Sequence, residues 1–308
     1  MAEKTNPNVK TIESPTTGDD TFGTTVNEEY DRDFMGKHFE GLGNAWEALF
    51  GDSDLFAQHL PTVVAQGTIG ENGCVMYHDE TIVYLLQHPD CQSSVRVGVL
   101  CVTSPNKDNI EVYSFYPVME GLPNQLVITK RHTWTNGIEG VVAAECADNG
   151  PPASFFAPFY YREATAFSKG LKQTVYLAAL AMSCEKAEQE RFTIDKGPFF
   201  EMKLQEFLKE NPRKTVNDFS APVISMCGVR MLMPSQYVCE WEYRFPILAV
   251  EQTSFMDKPI YKLRIDFVGM DDQMLSEYFY VPETMLKGYI PKVGDDIQGV
   301  LWMTGTLG

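Results

Sequence analysis

The apolar positions of this chain fall into short runs bounded by turn residues, and that pattern predicts strands over most of its length. Cys74–Tyr77, Thr81–Gln87, Val95–Thr103 and Ile110–Tyr116 are rich in Val, Ile, Tyr and Leu, with Gly, Pro, Asn and Asp between them. Val95–Val102 is nearly continuous and reads as a central strand. Gln125–Thr129 and Ile138–Cys146 flank Asn136-Gly137, a hairpin turn. The Ala-rich run Val175–Met182 reads as strand, because Thr174, Val175 and Tyr176 lead it and a Gly-Leu-Lys turn precedes it. Further strands are expected at Val223–Met233, Tyr237–Glu251, Lys258–Val268 and Glu277–Val281. Pro246 should mark an edge or a bulge.

The stretch Pro291–Gly308 supplies a closing strand. Gly294-Asp295-Asp296 is turn chemistry. Beyond it, Ile297, Gly299, Leu301 and Met303 share one face, and Gln298, Val300, Trp302 and Thr304 share the other. Both faces are apolar, so the strand needs neighbours on both sides.

Two stretches switch to helical spacing. Trp46, Leu49 and Phe50 stand at i, i+3 and i+4, with Gly51 as a stop. Asp52 or Ser53 then caps a second short helix expected to end before Pro61. Phe199, Phe200, Lys203, Leu204, Phe207 and Leu208 form an amphipathic stripe, opened by Pro198 and ended by Asn211-Pro212.

The expected fold is therefore mainly β, with two barrel- or sandwich-like (OB-like) modules at 63–184 and 221–308. A helical linker at 185–220 joins them, and a helical cap at 34–62 covers the first. Residues 1–33 hold eight acids against three bases and few large apolar side chains, which predicts a disordered or extended acidic arm. A shift of 124 residues carries Phe155–Pro158 onto Phe279–Pro282, Gly170 onto Gly294 and Leu177 onto Leu301, the pattern of an internal repeat.

The segment Glu277–Leu307 places a strand, a short Pro-x-x-x-Leu piece and Lys292-x-Gly294-Asp295-x-Ile297-x-Gly299 in order. This resembles OB-type barrels, and the ending through Leu301-Trp302 also resembles the tails of uncharacterised bacterial proteins. The resemblance implies a barrel and no activity. Oligonucleotide-binding barrels mix aromatics with Lys and Arg on their binding face. Here Ile265–Leu307 carries seven acids against two lysines, a departure from that pattern.

Charge narrows the function classes. Twenty-five Lys and Arg against 42 Asp and Glu leave −17, which disfavours nucleic acid or anionic membrane as a partner of the whole surface. Seven cysteines, none spaced Cys-x-x-Cys, read as reduced core thiols in a cytoplasmic compartment or a virion interior. There is no apolar run of membrane length, and the polar first residues lack a secretory leader.

No catalytic, cofactor or metal motif stands out. The five histidines are dispersed, with no zinc spacing. Gly41-Leu42-Gly43 lacks the context of a phosphate loop, and Gly-x-Ser-x-Gly is absent. Aromatic residues are the richer signal. Phe155, Phe159, Tyr160 and Tyr161, with Trp302, are either barrel core or a ridge for a protein partner. Lys130, Arg131 and Trp134 are the candidate nucleic-acid contacts. The expected function is a non-catalytic binding or assembly protein, partnered by another protein or by itself. A structural component of a phage or mobile element is one setting that fits. A single-stranded nucleic-acid-binding protein and an enzyme of unfamiliar type are the alternatives.

Overall fold

A computed structural model describes residues 10–12, 45–89, 93–105, 109–134, 136–146, 152–188, 191–235, 237, 239–267 and 274–308. The expected acidic arm, apart from 10–12, and the first part of the helical cap lie outside the described residues. The chain is mainly β, as its apolar runs predict, and it contains a closed five-stranded barrel.

The first sheet holds β1 (Lys10–Ile12), β2 (Thr68–Tyr77), β3 (Ile82–His88), β4 (Val95–Thr103) and β5 (Glu111–Met119), in that order. β1 joins β2 in parallel, and the other pairs are antiparallel. The helices 45–50 and Ser53–Gln66 lie against it. Trp46 stacks on Phe56 at 3.8 Å and donates its indole N–H to Phe115 O. The second helix runs through Pro61 instead of ending before it. Proline removes a helical N–H and crowds the preceding turn, but Phe56 and Val63, buried on either side of it, hold both halves in place.

The barrel is made of β6 (Leu122–Thr133), β7 (Gly140–Cys146), β8 (Pro152–Phe156), β9 (Lys172–Lys186) and β17 (Asp296–Leu307). β6 and β7 form the hairpin expected at Asn136-Gly137. Asn136 Oδ1 accepts from the Ile138 and Glu139 N–H groups there, and Gly137 takes a φ of 72°. β9 is a strand, and β17 runs antiparallel along it from Ile297↔Lys186 to Leu307↔Val175. A parallel bridge between Thr304 and Phe156 of β8 closes the ring.

β9 and β17 also carry a second circuit. β13 (Glu240–Pro246) pairs with β17, β16 (Leu275–Pro282) with β9, β15 (Lys258–Phe267) with β16, and β14 (Ala249–Phe255) with β15. The chain itself completes this circuit. β13 passes into β14 across only Ile247 and Leu248, where the bend expected at Pro246 falls, and Leu248 N–H bonds Arg264 O at 2.9 Å.

One bridge in each circuit falls at matched positions. Phe156↔Thr304 in one matches Tyr280↔Leu180 in the other, 124 residues on for the first partner and 124 back for the second. The bend in β6 at Ile128 is bonded to Leu171 O and Gly170 N–H at 2.9 and 2.8 Å. The bend at Ile247 is bonded to Asp295 O and Gly294 N–H at the same two distances. Gly170 and Gly294 both adopt left-handed φ, 83° and 86°, which glycine supplies without strain.

Two cores result. One fills the circuits: Leu177, Ala179, Phe279, Ile297, Leu301 and Met303 face it. The other lies between the first sheet and the outside of the barrel, where Ala178, Leu180, Phe156 and Trp302 meet Val97, Val99 and Tyr116. β9 and β17 are thus buried on both faces, which is why their runs are apolar throughout.

Between β9 and β13 the chain leaves the barrel. It forms β10 (Arg191–Thr193), the helix Pro198–Glu210, β11 (Val223–Ser225) and β12 (Met231–Pro234). The helix begins at the predicted proline and stops before Asn211-Pro212. The single strand expected at Val223–Met233 is instead two short ones. Gly228, at φ 71°, turns the chain between them.

Candidate functional site

The aromatic residues proposed as a partner ridge are interior. Phe155, Tyr160 and Tyr161 are fully buried, and Phe159 and Trp302 nearly so. Phe155 and Tyr160 fill the core inside the barrel, and Phe159, Tyr161 and Trp302 lie between the barrel and the first sheet. Tyr161 OH donates to Gly73 O at 2.6 Å, Tyr77 OH to Tyr161 O at 2.9 Å, and Tyr116 OH to Pro158 O at 2.8 Å. Trp302 stacks on Phe156 at 5.7 Å. Buried hydroxyls need such partners, so the area these rings offered to a ligand is spent inside the chain.

The basic–aromatic cluster is likewise divided. Lys130 is exposed, but Arg131 and Trp134 are buried. Arg131 donates to Ala164 O, and Trp134 lies 5.6 Å from Phe156. One exposed lysine is no stacking platform. The alternation of β6 sends 130 outward and 131 inward, a split that sequence adjacency conceals.

A cleft of about 530 Å³ opens between the first sheet and the barrel. Arg96, Glu120, Phe159, Tyr176 and Leu307 are among its lining residues. Glu120 accepts from Lys262 at 2.8 Å and Ser94 at 2.9 Å. Partial burial works to raise its pKa, and these bonds with the Lys262 and Arg96 charges outweigh it, so the carboxyl sits below its ordinary value. Beside the cleft, the Arg162 guanidinium lies 4.2 Å above the Phe159 ring and 3.1 Å from Glu163. Burial pushes Glu163 up to about 7, partly offset by Arg162 and by the Leu307 N–H. A second hollow of about 540 Å³ is lined by Glu47, Met182, Glu240 and Met285 among others. Among the described residues, no group of three or more His, Cys, Asp or Glu is placed to hold a metal ion, and no helix is long and apolar enough to cross a membrane.

The feature that sequence reading missed is the excursion at 191–235. None of these residues is buried, although Phe192, Phe199, Phe200, Phe207, Phe219 and Ile224 lie among them. The amphipathic helix has no core to face. Phe200 and Phe207 meet Phe219 at 5.4 and 5.3 Å, Leu232 packs on the second core, and Phe192, Phe199, Met202 and Ile224 are exposed. Phe199 and Met202 are 40% and 47% exposed. The base of the excursion is fixed: β12 pairs with β13, Gly228 N–H donates to Asp296 Oδ2 at 2.8 Å, and Arg244 donates to Glu188 O at 2.8 Å. The signal was present as an amphipathic stripe, but a stripe does not say whether its partner is in the same chain. No protein-family model, curated protein or solved structure matches the chain.

Proposed function

We propose that this protein is a non-catalytic binding or assembly protein that works through the arm at 191–235. The observation that carries this reading is an ordered, apolar-faced arm without a buried residue. Fixing a residue's backbone costs about 1–2 kcal/mol of conformational entropy, and burial of apolar area is the main term that offsets it. An arm that only partly covers its apolar side chains in its own chain, with Leu232 alone packed on the core, gains further burial on a partner. The barrel and the circuit beside it supply the base, since Arg244 and Asp296, an ion pair at 3.9 Å with both side chains buried, stand under the arm.

Cross-linking in the source cells tests this reading. Lys203, 41% exposed, and Lys209 should link to another polypeptide or to an isotopically distinct second copy. Links confined to their own chain would refute the reading.

We also infer that the two circuits are copies of one doubled module. The matched bridges Phe156↔Thr304 and Tyr280↔Leu180 and the matched bonds at Ile128 and Ile247 support this. It implies that Gly170→Val and Gly294→Val, at equivalent turns, lower the thermal midpoint by similar amounts. Widely different losses would count against it.

A further inference from the structure

We propose that the 191–235 arm docks on the acidic body of a second copy of this chain. The inference rests on reading the arm as a binding element and names its partner. Charge makes the choice. Residues 191–235 carry seven Lys and Arg against five Asp and Glu, or +2, and the rest of the chain therefore carries −19. An apolar face with cations at one end is complementary to an acidic surface. Arg213 and Lys214 follow the helix and give the apolar face one cationic end, while Lys196 before it is balanced by Asp195.

Thirteen helical residues span about 20 Å, and the two-stranded ribbon of β10 and β11 adds three exposed residues on each side. Together they form one continuous exposed apolar patch, to be completed by a partner's surface. Each copy carries both the arm and the acidic body, so the contact is either exchanged between two copies or propagated along many.

The experiment is light scattering on the full chain at about 150 mM salt, where charges more than about 8 Å apart are screened and close pairs are not. At a concentration of tens of micromolar the mass should be at least twice the 34.7 kDa of one chain. Phe199→Asp with Met202→Glu, and separately Arg213→Glu with Lys214→Glu, should each weaken association about tenfold or more. Phe199 and Met202 are exposed, and acids suit the early turns of a helix. The circular dichroism of the Phe199→Asp with Met202→Glu variant should therefore match that of the parent.

A monomeric parent chain, or variants that associate as tightly as the parent, would overturn the inference. Parent monomers that pellet with vesicles of anionic phospholipid would overturn it in favour of a lipid surface. If the parent is monomeric while Lys203 and Lys209 still cross-link to a different polypeptide in cells, the inference fails and the binding reading stands.

Discussion

Glu277→Gln tests whether the second circuit holds a protonated carboxyl at neutral pH. Glu277 alternates with Leu275, Phe279 and Val281 on the inward face of β16, opposite Ile265, and is fully buried. Among the described residues neither carboxylate oxygen has a hydrogen-bond donor. Burial alone pushes this carboxyl up to about 8 from an ordinary value of 4.5. In the unfolded chain it ionises near 4.5, while the folded chain keeps its proton until about 8. Between those values the folded state binds more protons, so stability falls as pH rises and levels off above pH 8. Each unit of difference is worth about 1.4 kcal/mol, for a total loss on the order of 3–5 kcal/mol. Gln is neutral throughout. Its extra buried N–H donors cost about 1–3 kcal/mol at every pH. The variant should therefore be the less stable protein near pH 4.5 and gain on the parent steadily up to pH 8. Glu163 and Glu240, also raised by burial, shift both proteins alike and cancel in the difference. Urea unfolding of both proteins, followed by circular dichroism from pH 5 to 8, measures the difference directly. Parallel profiles would show that Glu277 is ionised, or solvated, in the folded state.

Trp302→Ala should cost about 3–5 kcal/mol in denaturant unfolding, because the ring is 92% buried and stacked on Phe156; a loss under about 1 kcal/mol would place the ring outside the core. Gly299→Ala should lower the thermal midpoint by several degrees, since φ is 152° and an added Cβ would stand 2.2 Å from Ser183 O; an unchanged midpoint would mean that β17 re-registers there. Fluorescence anisotropy with single-stranded oligonucleotides should show no binding at physiological salt. Salt-sensitive binding abolished by Arg131→Ala would mean that this arginine leaves its bond to Ala164 O.

Much of the architecture was local information. Pro198 and Asn211-Pro212 bound a helix because one fits a first turn and the other ends it. Asn136-Gly137 makes a hairpin because those residues tolerate the φ it requires. The two apolar faces of β17 stated that it would have neighbours on both sides, and they mark Leu301 and Trp302 for different cores. What those neighbours are is not local. β17 pairs with β9 from positions more than a hundred residues away, and many apolar strands would satisfy the same pattern. Tertiary structure alone decided that Phe155, Tyr160 and Tyr161 would be enclosed while Phe199 and Met202 stay exposed. The side chains on both sides of that division are chemically alike. The difference is whether another layer of the same chain arrives to cover them, and that depends on long-range pairing which no residue encodes by itself.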